Sequence, residues 1–322
     1  MESWQIPALG AAPQRVRLPG PTPAEGEVLV RVAAVGLNFA DLLMIEGKYQ
    51  VRVAPPYIPG MEFAGVVEAL GPGATGPAIG TRVLGTCTSG ALAARIAVPA
   101  LALAALPDAM SFDEAAGFPI AYGTSHLALT HVARLQPGET LFVTGAAGGV
   151  GLTAVEIGKR LGARVIASAR GADRLAVAGA AGADVLVDSE AAGLKDRLRA
   201  EGGVDVVYDA VGGPAFDAAL RACRPEGRLL AIGFASGQVP QVPANLLLVK
   251  NLTVSGFWYG GFQAHAPARV AASMARLLQW RAEGALRPHI GQVLPFDAFP
   301  EGLELLRARK ATGKVVIRVQ EP

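Results

Sequence analysis

The stretch Val143-Thr-Gly-Ala-Ala-Gly-Gly-Val-Gly151 decides the fold. It follows an apolar run, Thr140-Leu-Phe-Val-Thr144, and opens an amphipathic one from Val150 to Gly162. Strand, glycine-rich turn and helix form the setting in which such a run reads as a dinucleotide site. Gly148 lacks a Cβ, so a pyrophosphate can approach the backbone, and Gly151 lets the helix pack close to the strand. The helix start then offers free N–H groups and the positive end of its dipole to phosphates. The first glycine of the usual G-x-G-x-x-G is Ala146 here, and Gly145 is the candidate for the turn in its place. The competing reading is a tight strand-to-helix turn that binds nothing.

The continuation favours a cofactor. Arg164-Val-Ile-Ala-Ser-Ala-Arg170 is a second apolar strand at the right spacing for a βαβ unit. In NAD-binding folds this strand ends on an Asp or Glu that holds the ribose 2′-hydroxyl. Here the position is Ser168 or Ala169, followed by Arg170 and Arg174. An acid would repel a 2′-phosphate, whereas guanidiniums pair with it. A charge-assisted hydrogen bond is worth roughly 1.5–3 kcal/mol, so one well-placed arginine gives about a 10- to 100-fold preference for NADP(H). The alternative is that both arginines are solvated residues at a helix start.

With 322 residues, 51% of them hydrophobic, the chain has room for two domains with sizeable cores. The net charge of +2, without a basic stripe, argues against nucleic acid as a main partner. Cys87 and Cys223 are far apart and make neither a metal motif nor a disulfide framework, which fits a reducing cytoplasm. The N-terminal Met-Glu-Ser-Trp-Gln-Ile-Pro lacks a basic region followed by an apolar one, so no secretory leader is expected. The longest uncharged stretches, near 115–133 and 229–249, are interrupted by prolines, and neither reads as a membrane span.

Residues 1 to about 120 read as short strands between Gly/Pro turns: Arg15–Leu18, Glu27–Val32, Glu62–Ala69, Thr81–Leu84 and Ala94–Val98. This predicts an all-β, barrel-like unit. Ser111-Phe-Asp-Glu114 resembles a capping box, and helical spacing follows from Ala121 to Ala133. Strands at 140–145, 164–169, 184–187, 205–210 and 228–233 then alternate with helices, which predicts a parallel sheet covered on both faces. After about 260 there remain a helix, Pro267 to Glu283, and two short strands near 292–294 and 314–319.

Four stretches carry a resemblance over essentially the whole chain: Gly36-Leu-Asn-Phe-Ala-Asp41 with Gly47-Lys-Tyr49, Pro59-Gly-Met-Glu-Phe-Ala-Gly65, Gly145 to Gly151, and Tyr208-Asp-Ala-Val-Gly-Gly213. Together they make the chain similar to the zinc-free quinone oxidoreductase branch (zeta-crystallin-like) of the medium-chain dehydrogenase/reductase superfamily. The resemblance implies an α/β protein with a GroES-like β-barrel catalytic domain, residues 1–120 and 262–322, and a doubly wound Rossmann domain, residues 121–261. It implies further that the tail folds back onto the first domain, that the active site lies in an interdomain cleft, and that the chain forms a homodimer.

Zinc-using relatives place Cys-His where this chain has Asn38-Phe39, and Gly-His-Glu where it has Gly60-Met61-Glu62. A catalytic zinc takes three protein ligands plus an open position. His126 and His131, five apart, point ~140° away from each other on a helix and cannot act as an i, i+4 pair. No metal is therefore expected. Without a Lewis acid, hydride transfer is easiest to an acceptor that is already electron-poor, such as a quinone or an enone. The protein must then position that acceptor and offer hydrogen-bond donors.

The resemblance places Asn38 beside nicotinamide and substrate, where its amide N–H would stabilise an enolate or hydroquinone oxygen; spacing alone reads it equally as a turn residue. Tyr49 is a candidate proton donor, or else a loop aromatic packed on its own domain. Asp41 reads as structural. Thr124 matches the threonine that meets the nicotinamide ribose, against a helix-interior residue bonded to the preceding turn. Ala147, Gly148, Gly149 and Val150 are candidates for the pyrophosphate. Ser168, Arg170 and Arg174 are candidates for the 2′-phosphate, and an acid at Asp188, where relatives often have tyrosine, leaves them more of that work. Gly233-Phe234-Ala-Ser236 resembles the loop lining the nicotinamide, and Lys314 is read either as reaching the cofactor or as a strand-edge lysine.

The leading reading is an NADPH-dependent reductase of quinones. Reduction of enones, 2-alkenals or enoyl-CoA thioesters is the runner-up, and Phe257, Trp258 and Tyr259 form either an aromatic-accepting wall or core. Two other classes remain: a non-catalytic NADPH-binding protein, and an S-adenosylmethionine-dependent methyltransferase. The latter normally wants the missing acid at the end of the second strand.

Overall fold

The computed structural model describes residues 1–321. The chain divides into two compact units: Met1–Ile120 with Met274–Glu283 and the segment from Pro288 on, and Ala121–Ser273 with Gly284–Arg287. The second division falls within the continuous helix Pro267–Ala282 rather than near residue 262. No glycine or proline break marks a division inside a helix, so composition could not place it.

The first unit is built on a seven-stranded sheet. Its order is Ile290–Pro295, Lys314–Arg318, Glu27–Leu37, Glu62–Leu70, Arg82–Thr86 and Leu103–Ala105, with Arg95–Pro99 also paired to Glu27–Leu37. The long strand explains itself from its sequence. Glu27-Val-Leu-Val-Arg-Val alternates half-buried and buried positions with the period of two expected of a pleated strand. From Ala33 to Leu37 every residue is buried, because both faces are covered there. Gly36 records that crowding: a Cβ on it would lie 2.3 Å from the Ala116 carbonyl oxygen. The tail strand Lys314–Arg318 pairs antiparallel with Ala34–Leu37, so it is an interior strand of this sheet and not an edge. Ile6, Val30, Val35, Phe63, Leu92, Phe299 and Ile317 form the fully buried centre of the unit.

The second unit is a six-stranded parallel sheet in the order Val185–Asp188, Arg164–Ala169, Thr140–Thr144, Val204–Asp209, Cys223–Ala231, Thr253–Gly256. In chain order this is 3-2-1-4-5-6, the doubly wound arrangement whose strand ends carry dinucleotides at the reversal point. The sixth strand is an element the sequence pattern does not predict. The central strands, Thr140–Thr144 and Arg164–Ala169, are almost wholly buried, as expected for a sheet covered on both faces. Phe142, Ile166, Val207, Phe216 and Leu229 lie at the core. Among the described residues, no helix is long and apolar enough to cross a membrane.

Candidate functional site

In the second unit, the site grows from the end of the first parallel strand. Gly145 turns the chain at φ +60°, in the left-handed region that glycine enters at no cost, so it does supply the turn where Ala146 replaces the usual glycine. The Ala146 N–H donates to the Ser168 carbonyl at 3.0 Å, tying the turn to the neighbouring strand. Gly148 is the N-cap of the helix Gly149–Arg160, and its carbonyl accepts the first helical bond, from Leu152 N–H at 2.8 Å. The N–H groups of Gly149, Val150 and Gly151 precede that bond and have no acceptor within the helix. Gly151 sits where the helix meets the turn, since a Cβ there would lie 2.2 Å from the Gly145 carbonyl oxygen. Ala147, 2% exposed, completes the loop.

Two buried hydrogen-bond networks hold this cradle. Asp209, at the end of the fourth parallel strand, accepts from Thr144 Oγ1 at 2.5 Å and from the N–H groups of Val211 and Gly212 at 3.3 and 2.9 Å. Burial pushes its carboxyl above the usual range, and these donors pull it back. The loop Gly233–Ser236 runs beside that turn, with Ala235 N–H on Ala210 O at 3.2 Å and Ser236 N–H on Val211 O at 2.9 Å. Phe234 is 39% exposed, and Ser236 Oγ accepts from Gln238 N–H at 3.1 Å. The second network centres on Ser125, whose Oγ lies 2.9 Å from Val150 O, 2.8 Å from Thr153 Oγ1 and 2.9 Å from Tyr208 OH. It locks the helix bearing the buried Thr124 to the helix that begins at the glycine loop.

At the end of the second strand, Ser168 is buried, Arg170 is exposed and Arg174 is half-buried. Arg174 Nη1 is 3.5 Å from the Arg170 carbonyl oxygen, so both arginines belong to one turn. Two acids flank them. Glu190 Oε1 lies 3.9 Å from Arg170 Nε, and Asp188 Oδ1 accepts from Glu190 N–H at 3.0 Å and Gly171 N–H at 3.4 Å. A surface pair this long contributes little and leaves the Arg170 guanidinium accessible to a phosphate.

In the first unit, Asn38 is the N-cap of the short helix Phe39–Ile45, and its N–H donates to Asp41 Oδ2 at 2.8 Å. Asp41 is therefore the structural partner of that cap, buried at 1% exposure. Burial pushes its carboxyl up to about 7, against the lowering effect of the Asn38 N–H and the Lys314 charge. The Asn38 amide is held at both ends: Nδ2 donates to Glu62 Oε1 at 2.9 Å and makes only a long contact of 3.4 Å to Gly36 O, and Oδ1 accepts from Lys314 Nζ at 2.7 Å. Lys314 also donates to Glu62 Oε1 and to Leu37 O, each at 2.7 Å. Glu62 Oε2 takes the Ile120 N–H at 2.8 Å, so every atom of this buried pair is satisfied. Lys314 is thus an interior member of an ionic cluster. Tyr49 is half-buried and packs against the core of the same unit.

Comparison with known proteins identifies the family and the fold. Residues 24–108 match the alcohol dehydrogenase GroES-like domain and residues 149–279 the zinc-binding dehydrogenase domain. A quinone oxidoreductase-like protein 2 homolog from Nematostella vectensis is 38% identical over 301 residues, covering 92% of this chain and 82% of that protein. The chain belongs to the zinc-free quinone oxidoreductase branch of the medium-chain dehydrogenase/reductase superfamily. It is an oxidoreductase of that family. The quinone oxidoreductase of Thermus thermophilus, solved also with NADPH, superposes with a TM-score of 0.88 at 38% identity, covering 99% of this chain and 100% of that one. The Escherichia coli quinone oxidoreductase in complex with NADPH gives 0.92 at 28% identity, with coverage of 99% and 100%.

One matched domain is named for zinc, but among the described residues no group of three or more His, Cys, Asp or Glu side chains is arranged to hold a metal ion. The Lys314 ammonium lies against Asn38 and Glu62. The fold brings Ala147, Gly148, Gly149 and Val150 to one helix start, Ser168, Arg170 and Arg174 to one strand end, and Asn38 and Lys314 into one cluster. Sequence reasoning missed Glu62 as the partner of both Asn38 and Lys314, and Ser125 and Asp209 as anchors of the cradle. Glu62 and Asp209 do lie inside the motifs that carried the family resemblance.

Proposed function

We propose that this chain is an NADPH-dependent reductase that passes hydride to a quinone without a metal ion. The observation carrying this reading is the helix start at Gly149–Gly151, whose N–H groups lack helical acceptors, behind a left-handed Gly145 turn and beside arginines at the end of the adjoining strand. These residues fit NADP(H): the loop backbone receives the pyrophosphate, and Arg170 and Arg174 receive the 2′-phosphate that an NAD-type acid would repel. When bound, the cofactor supplies a hydride, and a quinone becomes a hydroquinone after taking up that hydride and one proton.

The remaining work falls to the chain. Thr124 and the Gly233–Ser236 loop would border the nicotinamide half of the cofactor. The weakly held N–H of the Asn38 side chain, 3.4 Å from Gly36 O, is the one an acceptor oxygen can take. The Tyr49 hydroxyl supplies the proton. The names of the relatives and the NADPH complexes of two neighbours support the reading as an NADPH-dependent oxidoreductase. Enones, 2-alkenals and enoyl-CoA thioesters need the same hydride and proton, and they form the second reading. A homodimer is the expected assembly.

The test is NADPH consumption against 1,4-benzoquinone, 9,10-phenanthrenequinone, an enone and crotonyl-CoA. Turnover fastest with a quinone supports the reading; turnover confined to the enone or the thioester replaces it with the second.

A further inference from the structure

We infer that Glu62 and Lys314 are positioning residues that hold the Asn38 side-chain amide in one orientation, so that a single N–H remains for the acceptor. The argument rests on which atoms can donate. A lysine ammonium only donates, so the Asn38 atom 2.7 Å from Lys314 Nζ must be the amide oxygen. A carboxylate paired with that ammonium only accepts, so the Asn38 atom 2.9 Å from Glu62 Oε1 must be the amide nitrogen. Turning the amide over would set an NH2 against an ammonium and an oxygen against a carboxylate. Two hydrogen bonds would become two repulsions, at a site where Glu62 is 0% and Lys314 6% exposed. An isolated asparagine has no such preference.

The clamp is itself fixed. Lys314 Nζ donates its remaining proton to Leu37 O at 2.7 Å, and Glu62 Oε2 is held by Ile120 N–H at 2.8 Å. The Asn38 backbone is pinned by Asp41 at 2.8 Å. Of the two amide protons, one is committed to Glu62, and the other faces only a long contact to Gly36 O at 3.4 Å. That second proton is the group the proposed reductase chemistry requires, so the inference deepens the reading above and rests on it.

The first test uses the unaltered protein. Nitrogen–proton correlation NMR, with the Asn38 side-chain signal identified by its loss in Asn38→Asp, should show a rigid amide whose protons exchange slowly with water. The second test uses Glu62→Gln and Lys314→Met. Each should lower kcat with 9,10-phenanthrenequinone roughly 10- to 100-fold, the scale of a misplaced donor. The Kd for NADPH, measured by fluorescence, should stay within about threefold, because the cradle lies on other elements. Lys314→Arg, which keeps a donor-only cation, should restore the rigid amide signal that Lys314→Met loses.

An Asn38 amide that reorients and exchanges like an exposed asparagine in the unaltered protein overturns the inference, whether or not the variants fold. So do folded Glu62→Gln and Lys314→Met proteins that retain wild-type kcat. A rigid amide in an unaltered protein that turns over no acceptor refutes the reductase reading instead, and leaves the fixed orientation standing.

Discussion

Replacing Gly151 with alanine tests whether close helix packing shapes the cofactor cradle. The added Cβ would lie 2.2 Å from the Gly145 carbonyl oxygen, 2.7 Å from its carbonyl carbon and 3.0 Å from Ala146 Cα, all of them backbone atoms. No side chain can swing away. Ordinary contact begins at 3.4 Å, so turn and helix must part by about 1.2 Å, the difference between 3.4 and 2.2 Å. Overpacking of this kind costs roughly 1–3 kcal/mol, which corresponds to a fall in melting temperature of roughly 3–10 °C for a unit of this size. The same displacement lengthens the path from the Gly149–Gly151 N–H groups to a pyrophosphate. Losing one charge-assisted bond of roughly 1.5–3 kcal/mol weakens NADPH binding roughly 10- to 100-fold. The assay is a fluorescence titration with NADPH beside a thermal melt. Gly20→Ala is the control, because its Cβ meets nothing within 4 Å, and it should leave both readings unchanged. If Gly151→Ala melts with the wild type and binds NADPH within about threefold, the packing argument is wrong.

Arg170→Ala and Arg174→Ala should each raise the Kd for NADPH roughly 10-fold or more while leaving NADH alone, since only NADPH carries the 2′-phosphate; equal losses for both cofactors would show a merely structural role. Glu190→Gln, which frees Arg170 from an acid 3.9 Å away, should tighten NADPH binding by about two- to fivefold, the range of an exposed ion pair, and a weaker complex would contradict that assignment. Stability should also depend on Asp41. Its carboxyl, raised by burial from 3.8 to about 7, binds a proton more tightly folded than unfolded. The resulting stabilisation is complete below the unfolded value and is lost as pH rises through about 7, by up to roughly 4 kcal/mol. Denaturant melts between pH 5 and 8 should show the upper part of this decline, roughly 2–3 kcal/mol, in the wild type and a flatter profile in Asp41→Asn. A wild type whose stability rises over that interval would refute it.

The elements legible in the sequence are those whose signal is local. The glycine run at 145–151 announces its turn and helix because Gly145 and Gly151 answer steric demands set within a few residues. Thr140–Thr144 and Arg164–Ala169 are legible as continuous apolar runs because both faces are buried. Thr253–Gly256 escapes a pattern reading because it is short, half-exposed and ends in glycine, and because it is held by pairing with Arg228–Ala231 rather than by its own pattern. The same holds for the polar sites. Asn38 and Asp41 are neighbours in sequence, and their relation as helix cap and partner is within reach of it. Glu62 and Lys314 are separated by 252 positions, and nothing in either segment announces the other. Lys314 reads as a strand-edge residue only because the strands on both sides of it come from opposite ends of the chain.

The most direct test of the whole account is turnover by enzyme exhaustively treated with a chelator, given 9,10-phenanthrenequinone and NADPH deuterated at the transferring position. Undiminished cofactor oxidation with a primary isotope effect, and much slower oxidation of NADH, is the expected result. Activity that vanishes with the chelator and returns with zinc, or NADH used as well as NADPH, would contradict it.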